Sequence, residues 1–265
     1  MSIGLFMYYI NINHDQKSII YGPVNSRRLG KSLGINLLPV SYKVCPFNCI
    51  YCHYGWTDSY WRADSNQDFP KVAEVEKALT GAIKFSSKDN SPFNYITFSG
   101  NGEPTTHPQF AEIVEMVRRL RDSLCPSVKI ALLSNSALVE RTEVFRAISR
   151  VDLPIMKLDA GNEELWRRIN QPAPGVNFSG VVEGLSRMKG AVIQTLFLTG
   201  EVDNSTPMAI GEWQGLLKKI GPREVQIYTT DRPTAERGIV KVPRKRLEEI
   251  AGESGEALGL PVIVY

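Results

Sequence analysis

Cysteine and histidine are both scarce in this chain, which has 4 cysteines and 3 histidines among 265 residues. So few cysteines exclude the dense disulfide framework that stabilises small secreted domains. Long apolar runs are also missing, and the apolar segment from Ile3 to Ile10 lacks the basic start and the small-residue cleavage site of a signal peptide. The sequence therefore predicts a cytoplasmic protein with no membrane partner.

Neither sign of charge dominates, because 31 lysines and arginines face 28 aspartates and glutamates, and the net charge is +3 at pH 7. This balance permits an anionic partner such as a nucleic acid but does not require one. No composition break, repeat of fixed period or low-complexity tract divides the chain. We therefore predict one domain over residues 1–265, with an N-terminal extension (1–31), a core (32–230) and a C-terminal extension (231–265).

Strand-like runs alternate with helical patterns along the chain. The strand-like runs span Ser32 to Leu38, Tyr95 to Phe98, Val128 to Leu133, Ile155 to Leu158, Ala191 to Leu198 and Glu224 to Tyr228. Helices are predicted around the apolar faces that begin at Val72 and Phe110, and near Arg141 to Arg150, Glu163 to Ile169, Val181 to Met188, Pro207 to Ile220 and Arg244 to Ala251. Six strands alternating with helices predict an α/β fold with a parallel sheet, either doubly wound or curled into a barrel. In such folds the active site lies at the carboxyl ends of the strands.

Three of the cysteines stand close together, as Cys45, Cys49 and Cys52 in the run CPFNCIYC. Thiolates at this spacing can share one metal cluster. A structural zinc ion normally takes four ligands, and the fourth would have to be His53, His107 or a more distant group. A non-enzymatic zinc-binding module therefore stays an alternative. A cubane iron–sulfur cluster held by three thiolates instead leaves one iron open to a small-molecule ligand.

Polar motifs follow the second and third predicted strands. Gly100, Gly102 and Glu103 lie in the run SGNGEP, which in isolation is typical of a strand-to-helix turn. Its position at a strand end favours ligand binding. Ser134 and Asn135 follow the third strand, where they act either as ligand-binding groups or as a helix cap.

Charged and aromatic residues supply the remaining candidates. Lys157 and Asp159 lie beside apolar residues in the fourth strand, and strand alternation points both to the same face. They either pair with groups inside the fold or hold a carboxylate of a cofactor or substrate, and together with Gln194 of the fifth strand they are the candidate catalytic residues. Tyr51, directly before Cys52, is either a packed loop residue or an aromatic surface for an adenine ring.

The run from Cys45 to Cys52 resembles the CxxxCxΦC signature, with Φ aromatic, of the radical S-adenosylmethionine (radical SAM) superfamily. This resemblance implies a partial (βα)6 TIM-like barrel with parallel strands, a [4Fe–4S] cluster on the three cysteines, and S-adenosylmethionine at its open iron. It also implies reductive cleavage of that cofactor to a 5′-deoxyadenosyl radical that abstracts hydrogen from a substrate. An electron donor such as flavodoxin or ferredoxin is then required.

The same resemblance assigns roles to the cofactor-binding candidates. Ser99 to Pro104 is similar to the GGE element of the superfamily, so Gly100, Gly102 and Glu103 are expected to bind the methionine part of the cofactor. Ser134 and Asn135 are expected at its ribose hydroxyls, and Tyr51 at its adenine.

A narrower resemblance concerns the substrate. Tyr21 to Pro39, Ser99 to Pro108 and the run YTTDRP are similar to proteins related to the wyosine-base tRNA synthetases, which build a tricyclic base from N-methylguanosine in tRNA. Those synthetases carry a second cluster on additional N-terminal cysteines and a pyruvate-binding lysine, whereas residues 1–44 here contain no cysteine. We therefore expect one cluster and no pyruvate condensation. A tRNA base is the preferred substrate, and a small metabolite or a peptide is the alternative.

Overall fold

The computed structural model describes residues 10–11, 18–60, 68–88 and 92–265, and the rest of the predicted N-terminal extension lies outside them. Within these residues the helices are α1 (Val72–Lys88), α2 (Phe110–Leu124), α3 (Thr142–Ile148), α4 (Glu163–Asn170), α5 (Phe178–Arg187), α6 (Pro207–Ile220) and α7 (Arg244–Leu258). The strands are β1 (Ile10–Asn11), β2 (Ile20–Ser26), β3 (Gly30–Ile35), β4 (Val44–Cys45), β5 (Ser59–Tyr60), β6 (Tyr95–Phe98), β7 (Lys129–Ser134), β8 (Leu153–Lys157), β9 (Val192–Leu196), β10 (Leu198–Thr199), β11 (Glu224–Tyr228), β12 (Val240–Lys241) and β13 (Val262–Val264).

All six predicted strands are present, and β6 and β11 have the predicted bounds. The fifth stops at Leu196 rather than Leu198, because Leu198 pairs instead with Lys241 in the antiparallel ladder of β10 and β12. Sequence reasoning missed β2, whose alternation is interrupted by Gly22 and Pro23 and whose register with β3 shifts between Tyr21 and Val24. It also missed β13, which is only three residues long.

The predicted helices are also present, and α6 has the predicted bounds. The last helix is longer than expected, because α7 runs through Gly252 and Gly255 to Leu258. It ends at Gly259, which has a φ of 65° and donates its N–H to the Gly255 carbonyl. Glycine adopts this left-handed conformation without a steric penalty, so the helix terminates there.

The described chain forms two compact units, and the first comprises the described residues within Met1–Cys45, Trp61–Ser134 and Thr142–Pro154. Its strands lie in the order β1, β2, β3, β6, β7. The β2–β3 pair is antiparallel, and β3, β6 and β7 are parallel to one another. Helix α1 packs on α2, and α2 on α3. The core of this unit includes fully buried residues of three strands, Leu33, Ile35, Ile96, Phe98, Ile130 and Leu132.

The second unit comprises Pro46–Tyr60, Asn135–Arg141 and Ile155–Tyr265. Its strands β8, β9, β11 and β13 lie in that order and are all parallel. Lys157 of β8 is in register with Gln194 of β9, which is in register with Gln226 of β11. Residues in register on neighbouring strands point to the same face, so this row places three polar side chains on one side of the sheet.

The predicted α/β class with mainly parallel strands is confirmed. Among the described residues, no helix is both long enough and apolar enough to cross a membrane. The predicted domain division at residues 31 and 230 stays a prediction.

Candidate functional site

The loop that carries Cys49 is anchored on the C-terminal end of α4. The Asn48 N–H donates to the Asn170 carbonyl at 3.0 Å, and the Ile50 N–H donates to the Ile169 carbonyl at 3.0 Å. The last carbonyls of a helix have no N–H partner within the helix, so the loop supplies the donors they need. The backbone on both sides of Cys49 is therefore fixed by α4.

An aromatic contact and a further backbone hydrogen bond reinforce this attachment. The ring of Phe47 meets the ring of Trp166 edge to face, with centroids 5.4 Å apart, and both side chains are buried. The Ala173 N–H donates to the Pro46 carbonyl at 2.7 Å. These contacts hold the loop without engaging the sulfur atoms of its cysteines.

None of the four cysteines, all of which lie within the described residues, forms a disulfide bond. Cys45 is buried at the end of β4 in the first unit, while Cys49 and Cys52 are half-buried in the second. The Cys49 sulfur accepts a hydrogen bond from Asn170 Nδ2 at 3.4 Å. Burial raises the pKa of the Cys49 thiol to about 11, although this hydrogen bond opposes the shift. A metal that binds Cys49 therefore has to displace a proton.

The donor set fits the predicted cluster. Within the described ranges, no three His, Cys, Asp or Glu side chains converge as the ligands of a single metal ion do. A cubane takes each thiolate on a different iron, so its ligands need not converge on one point. Cys45, the last residue of β4, and Cys49 and Cys52, which follow it in the sequence, carry the donor type that iron–sulfur clusters use.

In the first unit, Glu103 forms a compact hydrogen-bonded group with its neighbours, which we call the glutamate cluster (Glu103, Thr105 and Ser134). Glu103 is 1% exposed. Its Oε1 accepts from Ser134 Oγ at 2.9 Å, Thr105 Oγ1 at 2.7 Å and the Thr105 N–H at 3.1 Å. A buried carboxylate requires such donors. Ser134, predicted at a ribose, thus also orients the carboxylate predicted to bind the cofactor ammonium.

Two glycines allow the Glu103 turn to approach its neighbours closely. A Cβ on Gly102 would lie 1.9 Å from the Val44 carbonyl oxygen, and one on Gly100 would lie 2.1 Å from Asn36 Oδ1. No side chain fits at such distances. This close approach lets the Glu103 N–H donate to the Val44 carbonyl at 3.3 Å. Gly102 therefore lets the turn lie beside the strand that ends in Cys45, and Gly100 lets it lie against Asn36.

Asn101, between these glycines, was not among the predicted site residues. Its Nδ2 donates to the Pro39 carbonyl at 2.9 Å and to the Tyr42 carbonyl at 3.0 Å. The side chain therefore ties the SGNGEP turn to the segment that follows β3. Its place between two glycines is a sequence signal for such a turn.

In the second unit, Asp159 is the centre of a group that we call the aspartate cluster (Tyr51, Lys157, Asp159, Asn170 and Tyr228). The Asp159 side chain is 0% exposed. Its Oδ1 accepts from Lys157 Nζ at 3.0 Å and from the Leu196 N–H at 2.9 Å. Its Oδ2 accepts from Asn170 Nδ2 at 2.8 Å and from the Tyr51 hydroxyl. Both oxygens of this carboxylate are therefore held.

Lys157 is an ammonium held between two tyrosines. Its Nζ donates to the Tyr228 hydroxyl at 2.8 Å and lies 4.7 Å from the ring centroids of both Tyr51 and Tyr228. Burial lowers the pKa of Lys157, but the charge of Asp159 and the hydrogen bond to Tyr228 outweigh burial, so the pKa is raised. A lysine that keeps its proton binds anions, whereas a Schiff base requires the neutral amine.

Tyr51 lies in this cluster with its ring beside the Lys157 ammonium and its hydroxyl on Asp159. Burial raises the pKa of Tyr51 well above its ordinary value, and the charge of Asp159 adds to the effect. The hydroxyl is therefore a donor at neutral pH. Stacking of this ring on an adenine stays a prediction.

The polar face continues across β9 and β11. Gln194 donates to Gln226 Oε1 at 3.4 Å, and Gln226 donates to Glu224 Oε1 at 2.9 Å. Both glutamines are buried. Sequence reasoning did not single out Gln226, although alternation in the run EVQIY places Glu224, Gln226 and Tyr228 on one face.

The sequence indicated a role for Asn135 but none for Asn170. Asn135 accepts the Ala137 N–H on its Oδ1 at 2.9 Å, which is the local turn that the cap alternative implies. Its predicted contact with a ribose stays a prediction. Asn170 was missed, because an asparagine at a helix end before Gln171 and Pro172 is typical of helix termination alone.

Comparison with known proteins shows a family and a sequence relative. The sequence profile of the Radical SAM superfamily matches residues 40–210. A UPF0026 protein of Methanocaldococcus jannaschii is 32% identical over 231 residues, which cover 86% of this chain and 68% of that protein.

Solved structures show the same fold at low sequence identity. A radical SAM methyltransferase from Sphaerobacter thermophilus superposes with a TM-score of 0.65 at 14% identity, over 88% of this chain and 65% of that one. The structure of TYW1 with a lysine-pyruvate adduct superposes with a TM-score of 0.58 at 15% identity, over 86% of this chain and 75% of that one. These likenesses confirm the predicted fold class. The chain spans about two thirds of the length of the UPF0026 protein and of the methyltransferase.

Proposed function

This chain belongs to the radical SAM superfamily and is an enzyme of that superfamily, and we propose that it binds a [4Fe–4S] cluster through Cys45, Cys49 and Cys52. When bound, this cluster and S-adenosylmethionine supply a one-electron cleavage that yields a 5′-deoxyadenosyl radical for hydrogen abstraction. The observation that carries the proposal is the CxxxCxΦC loop itself, whose backbone is fixed on α4 and whose Cys49 sulfur receives an amide N–H.

In this proposal Glu103 binds the ammonium of S-adenosylmethionine. Ser134 and Thr105 donate three hydrogen bonds to Oε1 of the Glu103 carboxylate, so this carboxylate is oriented before the ligand arrives. A charge-assisted hydrogen bond to an ammonium is stronger than a neutral one. Gly102 supports the site by allowing the turn to approach β4, and Gly100 by leaving room for the Asn36 side chain.

The electron comes from an external one-electron donor such as flavodoxin or ferredoxin, because reductive cleavage consumes one electron. We place the protein in the cytoplasm, where thiols stay reduced.

For the substrate we propose a tRNA base. The support is the resemblance to the wyosine-related proteins together with the polar face of the second unit. Lys157 supplies an ammonium there, and Gln194 and Gln226 supply amides. These groups suit a ligand with several oxygen and nitrogen atoms. The raised pKa of Lys157 disfavours a role as the amine that forms a Schiff base with pyruvate. A small metabolite or a peptide is the alternative.

The cluster proposal is tested by anaerobic reconstitution. The wild-type protein is expected to hold iron and sulfide and to form 5′-deoxyadenosine from S-adenosylmethionine and dithionite, whereas Cys49→Ala should form none. Cys125→Ala is the matched control, because Cys125 lies at the end of α2 outside the loop, and this variant should keep full turnover. A colourless protein with one zinc per chain, or a Cys49→Ala variant that still turns over, would overturn the proposal.

The substrate proposal is tested by tRNA binding at two salt concentrations. Contacts with phosphates make affinity fall steeply as salt rises, so a tRNA substrate should bind tightly in 50 mM salt and much more weakly in 200 mM. In the variant Lys157→Met, formation of modified tRNA should fall more than the affinity for tRNA does. Active protein that binds no tRNA at either concentration contradicts the proposal and favours a small substrate.

A further inference from the structure

We propose that Asn170 is a positioning residue of the iron–sulfur cluster, whose side-chain N–H bonds to the Cys49 sulfur and raises the potential at which the cluster accepts its electron. This inference rests on the proposed function, because it takes Cys49 as a ligand of the cluster. It concerns a residue that no cysteine motif contains.

The contact is direct and shielded from water. Asn170 Nδ2 lies 3.4 Å from the Cys49 sulfur, and the residue is 2% exposed. In the intact protein the Asn170 amide, rather than solvent, therefore supplies this hydrogen bond. The Asn170 backbone carbonyl also accepts the Asn48 N–H at 3.0 Å, which ties the two segments together.

The orientation of the amide is determined by Asp159. Asn170 Nδ2 donates to Asp159 Oδ2 at 2.8 Å and lies 3.3 Å from the Tyr51 hydroxyl oxygen. Asp159 is itself held through its other oxygen by Lys157 and by the Leu196 N–H. Rotating the amide by half a turn would place its carbonyl oxygen against the carboxylate, which is repulsive. The amino group therefore has to face Asp159 and the sulfur.

The other end of the amide is left without a partner. Among the described residues, Asn170 Oδ1 is one of the few buried side-chain atoms that no hydrogen bond reaches. An unsatisfied buried acceptor costs free energy, and a leucine, which has the same branched skeleton, would avoid this cost. An asparagine at this position presents an N–H donor to Asp159 and to the Cys49 sulfur, whereas a leucine presents none.

A donor at the sulfur affects the two redox states differently. Reduction takes [4Fe–4S]²⁺ to [4Fe–4S]⁺ by adding one electron from a low-potential reductant, and no proton is needed. The added negative charge spreads over the cluster and its thiolates, so an N–H donor stabilises the reduced state more. Loss of the Asn170 N–H should therefore make the midpoint potential more negative.

The first test compares midpoint potentials by redox titration followed by EPR. Asn170→Leu, which keeps the branched shape without the donor, is expected to load iron and to show a more negative potential than wild type. Asn170→Ala should change in the same direction. Gln171→Asn is the matched control, because Gln171 contacts the Asn48 side chain at 3.3 Å and no sulfur, and its potential should stay at the wild-type value.

A second measurement uses wild-type protein and does not depend on the variants folding. With ¹⁵N in the asparagine side chains, pulsed EPR of the reduced cluster should show a ¹⁵N hyperfine coupling. Loaded wild-type protein without this coupling, or loaded Asn170→Leu with an unchanged potential, overturns the inference and leaves the proposed function standing. Wild-type protein that takes up no iron and sulfide overturns the proposed function itself.

Discussion

The glutamate cluster and the aspartate cluster both bury a carboxylate, but they assemble it in different ways. Oε1 of Glu103 accepts from Thr105, two residues along the chain, and from Ser134 at the end of the adjacent strand β7. Asp159 receives four hydrogen bonds on both oxygens, and its donors come from a loop, two strands and a helix end.

The two arrangements should respond differently to amino-acid substitution. A carboxylate that is held largely by its own turn depends on the backbone of that turn. A carboxylate that gathers donors from distant parts of the chain depends on each of them, and they depend on it in return. We therefore expect substitutions in the aspartate cluster to cost more stability than side-chain substitutions in the glutamate cluster.

The largest effect is expected from Asp159→Ala. This change leaves the Lys157 ammonium, 14% exposed, without its counter-ion and removes the acceptor for Tyr51 and Asn170. Breaking a buried ion pair in this way costs about 3–5 kcal/mol of unfolding free energy. Chemical denaturation of the cluster-free protein measures this loss. Glu163→Ala, at the exposed pair with Arg167, is the control and should change stability little.

The next effect is expected from Gly102→Ala, which tests whether the backbone of the turn controls the glutamate cluster. The new methyl group would meet the Val44 carbonyl oxygen, so the turn has to move and the cost is about 1–3 kcal/mol. Affinity for S-adenosylmethionine should fall as well. Gly215→Ala, inside α6 with open space around it, should instead stabilise the protein slightly. Equal stability of the two variants would contradict this account.

A smaller and pH-dependent effect is expected from Tyr21 in the first unit. Burial raises its pKa to about 12, and its hydroxyl is hydrogen-bonded to Ser99. Because the folded pKa lies above the unfolded value of 10.0, this stabilising contribution is complete below pH 10 and is lost as the pH rises towards 12. About 1.4 kcal/mol should be lost by pH 11. Denaturation at a series of pH values measures how the free energy of unfolding falls as the pH rises. This fall should be shallower in Tyr21→Phe.

The smallest effect is expected from Ser134→Ala. It removes one of three hydrogen bonds to Glu103 Oε1 and leaves both bonds from Thr105. The binding free energy of S-adenosylmethionine should weaken by about 1 kcal/mol, which corresponds to roughly a fivefold weaker affinity. Isothermal titration of the reconstituted protein measures it. If this variant lost as much stability as Asp159→Ala, the contrast between the two clusters would be wrong.

Several parts of the fold and site followed from sequence because their signals are local. The strand Glu224 to Tyr228 and the helix Pro207 to Ile220 have the predicted bounds, since alternation, helical spacing and an N-terminal proline all act within one element. The glycines of SGNGEP were recognised for the same reason. Strand β2 was missed because Gly22 and Pro23 break its pattern, and only pairing with β3 makes that segment a strand.

The sequence by itself determined the family, the cysteine motif and the order of strands and helices, because spacing along the chain suffices to specify them. It also placed Lys157 and Asp159 on one face. Only the tertiary structure decided that Asn170 donates to the Cys49 sulfur and that Tyr51 and Tyr228 enclose the Lys157 ammonium. These contacts join residues far apart in the chain, so no local pattern encodes them, and packing of the loop on α4 brings them together.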